Sequence, residues 1–187
     1  MGNRGIIHDP STRTRLTRRW QQQAWICCVL SFKDFQHPIM GVSAYTELFF
    51  LDEATALAAG HRPCAYCRRR DYNHFKSAWL GANLPDVCHF VSAKTIDKQL
   101  HRERVDRSRR QVRFVASEQE LPDGVMIQAG ADVWLLWRGQ RFPWCDTGYG
   151  RPINRGLGQV EVLTPRSLVG ALNNGYQPQV HSSLIDR

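Results

Sequence analysis

No stretch of this chain approaches the ~18 consecutive apolar residues that a membrane-spanning helix needs, so the sequence predicts no membrane partner. The start, MGNRGIIHDP, is basic but leads into no apolar segment, which argues against a secretory leader. Met1-Gly2 opens like a myristoylation signal, yet Ile6 stands where serine or threonine is required. The expectation is a cytoplasmic protein. In a reducing compartment no disulfide framework is expected. The cysteines (Cys27, Cys28, Cys64, Cys67, Cys88 and Cys145) are then left for metal ligation or burial. Lysine is scarce too, with 4 Lys against 21 Arg among the 25 basic residues. A GC-rich genome produces this bias without functional meaning, but a planar guanidinium also binds phosphate bidentately and stacks on bases.

Familiar catalytic signatures are missing as well. There is no Walker loop, nucleophile elbow or dinucleotide fingerprint. Pro63-Cys64-x-x-Cys67 matches the second half of the zinc-deaminase pattern, but no H-x-E precedes it, and His101-Arg102-Glu103 comes after it. Whether the protein is an enzyme is therefore open.

What is present fits a soluble globular chain of 187 residues, 42% hydrophobic and 22% charged, with a formal charge of +8. That length buries a core unaided. We read 1–187 as a single domain, with a secondary division into a basic, zinc-containing part (1–120) and a β-hairpin plus C-terminal helix (121–187).

Residues 24–32 (AWICCVLSF) read as a buried strand and 39–50 as a second, irregular one, with a turn over Asp34 to Pro38 between them. Asp52 caps a short alanine-rich helix, Glu53 to Ala59, which Gly60 ends and Pro63 forbids from continuing. A helix over 69–80 places Tyr72, Phe75 and Trp79 on one face, and Gly81 to Pro85 breaks it. Ser92 caps a third helix that runs to about Arg107, with Ile96 and Leu100 as its apolar stripe. Residues 124–129 and 132–138 alternate around Gly130-Ala131 as a hairpin. A strand over 159–163 is followed by Thr164-Pro165 as the start of a last helix, which Gly175 terminates. The fold class is α+β: small mixed or antiparallel sheets with three to four helices.

Cys64-Ala-Tyr-Cys67 is the most informative motif. A C-x-x-C turn aims two thiolates at one point, as tetrahedral zinc requires. Thioredoxin-like redox pairs share the spacing, but they open a helix directly after a strand, whereas here a helix, Gly60 and Pro63 precede the pair.

The flanks extend the motif. Phe49-Phe50, the alanine-rich Ala54 to Ala59, Gly60, Arg62-Pro63 and the cysteine pair together resemble the zinc-binding N-terminal domain of the Ada DNA-repair protein. The likeness spans residues 45–70. It implies an Ada-like zinc knuckle, with Zn2+ on Cys64 and Cys67 and DNA as partner. The family places its other ligands shortly before the aromatic strand, but here the nearer upstream cysteine lies 36 positions before Cys64. Adjacent strand residues face opposite ways, so one of Cys27 and Cys28 ligates, and we choose Cys28. The fourth ligand stays open among Cys27, His37, His61, His74 and Cys88. The family's methyl transfer from DNA phosphotriesters is not carried over, because its reactive upstream position has no match here.

Basic residues surround the motif. Arg62 precedes the cysteines and Arg68, Arg69 and Arg70 follow them, where a zinc module meets phosphates. Residues 98–113 carry Lys98 and six arginines, among them Arg102 and Arg104, against Glu103 and Asp106, a net of +5. Such clusters give salt-dependent, sequence-tolerant binding. Trp20, Tyr66, Tyr72, Trp137, Trp144 and Tyr149 are candidates for base stacking. The loop Trp144 to Gly150 is the best functional candidate outside the zinc segment. The leading expectation is a zinc-containing nucleic-acid-binding protein related to DNA repair or modification. The alternatives are an enzyme acting on nucleic acid and a small-molecule enzyme with structural cysteines.

Overall fold

A computed structural model describes residues 1–33, 39–87 and 90–184. The predicted turn over 34–38, and the ligand candidates His37 and Cys88, lie outside these residues.

The described chain is α+β, with two sheets and four α-helices. The smaller sheet joins three distant pieces of sequence. Strand β1 (Gly2–Asn3) pairs antiparallel with β2 (Ile26–Cys27), and β2 pairs parallel with β3 (Arg62–Pro63). The 24–32 apolar run therefore contributes only two residues to a strand. Residues 39–50 form turns with a single bridge, Gly2 to Leu48, instead of a second strand. The segment pairs with the short N-terminal strand, which offers too few partners for a longer ladder.

Between β2 and β3 lies α1 (Glu53–Ala58). The Asp52 side chain accepts from the Thr55 amide, and the Thr55 hydroxyl accepts from the Asp52 amide, a reciprocal cap. Gly60 ends the helix at a φ of 80°, a conformation that costs glycine little. Helix α2 (Arg69–Asn83) runs through the predicted break at Gly81. A Cβ at Gly81 would lie 2.5 Å from Asn174 Nδ2, so this glycine opens room for the Asn174 side chain. Helix α3 (Ala93–Arg104) starts at the Ser92 cap as predicted and ends earlier, at Val105, which turns extended and bridges to Gln111.

The larger sheet holds β4 (Phe114–Ser117), β5 (Met126–Ala129), β6 (Asp132–Trp137), β7 (Gln140–Cys145), β8 (Gly148–Tyr149) and β10 (Gln159–Val162) in the order β4-β10-β5-β6-β7-β8, with β9 (Ile153–Asn154) beside β7. All its pairings are antiparallel. Helix α4 (Arg166–Asn173) follows β10. Its cap is Pro165, not Thr164. The Thr164 hydroxyl is buried and accepts from the Met126 amide instead. Glu103 of α3 supplies the missing cap, accepting from both the amide and the hydroxyl of Ser167.

Strand alternation gives the large sheet two apolar faces. Ile127, Leu136, Val160 and Val162 pack with Phe75, Trp79, Ile96, Leu100 and Leu168 of the helices. Met126, Leu135, Phe142 and Tyr149 pack on the other face against Ala54 and Ala58 of α1 and against Leu184. Both cores therefore draw on residues from either side of position 120. No helix among the described residues is long and apolar enough to cross a membrane.

Candidate metal centre and its surroundings

The parallel pairing of β2 and β3 decides which cysteine meets the C-x-x-C. The Cys64 amide donates to the Cys27 carbonyl at 2.9 Å, which sets the two chains side by side. Cys27 then points inward, where its sulfur accepts from the Arg68 guanidinium at 3.8 Å. Cys28 points the other way, to Cys64 and Cys67. The Sγ atoms of Cys28, Cys64 and Cys67 all lie within 4.8 Å of one another. Tetrahedral zinc with bonds of ~2.3 Å sets ligand sulfurs ~3.8 Å apart, so a small closure completes three legs of a metal site.

Backbone donors are already in place for thiolates. The Tyr66 amide donates to Cys64 Sγ at 3.4 Å, and the Arg68 amide donates to the Cys64 carbonyl at 3.1 Å, closing the turn. The thiol of Cys28 donates to Cys64, and with the amides of Cys67 and Tyr66 this holds the Cys64 thiol down to about 5. The same hydrogen bond, together with burial, pushes Cys28 up. Burial also pushes Cys67 up, against an amide donated by Val29. A cation bound by such thiols would take the place of their protons. Soft thiolate donors suit zinc and exclude magnesium or calcium.

The structure brings no fourth protein ligand into this cluster among the described residues. His61 is fully buried elsewhere, its Nε2 accepting from Arg4 Nε at 3.1 Å. His74 packs edge-on against Tyr176 at 5.4 Å. One further correction concerns the approach to the motif. A strand, β3, does directly precede Cys64. The separation from a redox pair rests on the third sulfur, not on the preceding elements.

The arginines divide sharply. Arg62 is buried in a bidentate pair with Asp97, both bonds 2.7 Å, and ties β3 to α3. Arg68 is buried between Glu53 and Asp71, each at 2.8 Å. Glu53 also accepts from the Tyr176 hydroxyl at 2.6 Å and the Gln179 amide at 2.9 Å. Burial takes Arg62 and Arg68 off the surface where the sequence places them, and their charge is spent on internal carboxylates. Arg69, Arg70 and Arg102 are exposed. Arg104 is only 3% exposed and bonds to the carbonyls of Gly60 and Gln23.

The 144–150 loop is the β7–β8 turn. Tyr149 is buried and donates to Asp52 Oδ2 at 2.8 Å, so it holds the cap of α1 instead of facing a ligand. A cleft of about 380 Å³ reaches the sulfur cluster at Cys28 and is also lined by Asp52, Glu53 and His181.

Sequence reasoning missed the grouping of Arg4, Trp25, His61 and Arg104. Arg4 and Arg104 stack on the Trp25 ring at 3.7 and 3.9 Å from its centroid. The arginine cluster at 98–113 and the basic start of the chain were visible, but nothing in their spacing says that the two segments meet.

No protein-family model, curated protein or solved structure matches the chain.

Proposed function

We propose that this is a zinc-containing nucleic-acid-binding protein related to DNA repair or modification, with an Ada-like knuckle at Cys28, Cys64 and Cys67. The observation that carries this reading is the convergence of three sulfurs from two distant segments onto the turn that opens α2. A metal there fixes the start of that helix, whose exposed Arg69 and Arg70 follow the turn directly. The formal charge of +8 and the exposed Arg102 support an anionic partner. DNA, as against RNA, comes from the resemblance of residues 45–70 alone.

Two measurements test this. Protein purified without chelator should carry close to one equivalent of zinc by elemental analysis, and a Cys64→Ser, Cys67→Ser variant should lose it. A clearly substoichiometric metal content in the wild type removes the centre. Second, duplex and single-stranded oligonucleotides should bind at low salt. Absence of binding to either removes the nucleic-acid function and leaves the cysteines structural. Turnover of an oligonucleotide would move the protein to the enzyme reading.

A further inference from the structure

The N-terminal segment and the end of α3 enclose a cleft of about 280 Å³, lined by Arg4, Arg19, Trp20, Trp25, Arg104 and Arg109 over a floor that includes Ala58, Ala59 and Leu163. A second cleft of about 320 Å³ shares Arg19, Trp20 and Arg109 and adds Arg18. Among the described residues no carboxylate lines either one.

The inner pair of arginines is costly as it stands. Arg104 is 3% exposed, and its Nε has no hydrogen-bond partner among the described residues. Asp97, whose charge does pull on it, is already engaged by two guanidinium nitrogens of Arg62. Among the described residues Arg4 donates to neutral acceptors, His61 and the Ala59 carbonyl. Burial lowers the Arg4 guanidinium to about 10 and that of Arg104 to about 9, the mark of buried cations short of counter-charge. A buried charge left unpaired is destabilising unless something returns the lost solvation.

The outer residues are arranged around the same opening. An Arg19 guanidinium N–H donates to the Arg109 carbonyl, which links the N-terminal segment to the tip of the 105–111 turn. Arg109 sits at a φ of 61° on that tip, and its guanidinium lies 6.0 Å from the Trp20 ring. Trp20 is half-buried, tilted against Trp25 and edge-on to His101.

We infer that this cleft is a site for one nucleotide unit of a single strand, in which the arginines meet the phosphate and Trp20 meets the base. The inference rests on the proposed nucleic-acid function for the source of the ligand. Guanidinium forks select phosphate among anions. Tryptophan beside them selects an aromatic base over a bare anion. The volume is at the low end of small-ligand sites, ~300–1,000 Å³, which admits a splayed nucleotide and not a duplex.

The test uses the full chain and four probes: inorganic phosphate, adenosine 5′-monophosphate, a single-stranded oligonucleotide and the same sequence as duplex. Exposed residues are changed so that folding is spared: Arg109→Glu and Arg19→Glu, with Trp20→Ala as a separate variant, each checked by circular dichroism. The mononucleotide should bind the wild type, and Arg109→Glu should weaken both it and the single strand by about tenfold or more. Trp20→Ala should weaken the mononucleotide while leaving any weak binding of inorganic phosphate in place. Inorganic phosphate binding as tightly as the mononucleotide overturns the base contact. A mononucleotide that fails to bind, or binds Arg109→Glu and Arg19→Glu unchanged, overturns the site. If oligonucleotides still bind in that case, the proposed function survives its loss. If the mononucleotide binds in an Arg109-dependent way while no oligonucleotide binds, the cleft stands and the nucleic-acid function falls.

Discussion

His61 has no exposed surface and lies between Phe50 and Trp25, with ring centroids 4.8 and 5.5 Å away. Its Nε2 accepts from Arg4, which places the ring proton on Nδ1. Burial comes first, and the charges of Arg4, Arg104 and the α-amino group push the same way against a weaker pull from the Ala56 backbone, so the folded imidazole resists protonation to well below its ordinary range. The unfolded chain takes that proton near ~6.5, so below this pH the unfolded state binds more protons than the folded one. Stability is therefore fully present above about pH 6.5 and declines as pH falls, by at most ~1.4 kcal/mol per pH unit from this group. Urea unfolding at a series of pH values should show the decline in the wild type and a flatter profile in His61→Phe. Some slope should persist, because burial and Arg104 lower His101 as well. Equal slopes in the two proteins would exclude His61 as the cause.

At the scale of elements, the Arg62–Asp97 pair is the main polar tie between the small sheet and α3. Both side chains are nearly inaccessible, 5% and 7% exposed. Removing one partner strands the other as a buried charge, which costs about 3–5 kcal/mol. Asp97→Ala should therefore destabilise strongly, and the double variant Arg62→Leu, Asp97→Leu should recover much of the loss. A double variant no more stable than Asp97→Ala would mean that the pair is held by something other than charge compensation.

Elements whose ends carry their own chemistry were legible from sequence. Asp52 and Ser92 cap α1 and α3 where their side chains predict, and the 126–137 hairpin turns at Gly130-Ala131. Elements that depend on a distant partner were not. The 24–32 run became a two-residue strand because β1 and β3 are equally short, and Gly81 stayed helical because Asn174 needs the space. The candidate metal centre divides in the same way. Cys64 and Cys67 follow from local spacing, whereas strand alternation left Cys27 and Cys28 as a choice that only the pairing of β2 with β3 resolves. The burial of Arg62 and Arg68 follows from Asp97 and Glu53, which no spacing rule links to them.

For the whole molecule, the proposed function predicts how binding responds to salt. Each phosphate neutralised contributes about 0.9 to the slope of log K against log salt. Replacing Arg69, Arg70 and Arg102 together by glutamine should make the slope shallower by about 2 to 3 if each meets one phosphate. Fluorescence anisotropy across a salt series reads this directly. An unchanged slope with unchanged affinity would take these three residues out of the interface.

The carboxylate of Glu53 joins Arg68, Tyr176 and Gln179, and two of those partners lie 123 and 126 positions further along the chain. During synthesis the acid that steadies Arg68, next to Cys67, therefore waits for partners more than 120 positions downstream to emerge. At ~5–20 residues per second this is a delay of roughly 6–25 seconds. Assembly of the cradle is consequently a late event, governed by long loop closures that slow folding, and the C-terminal segment sets its timing.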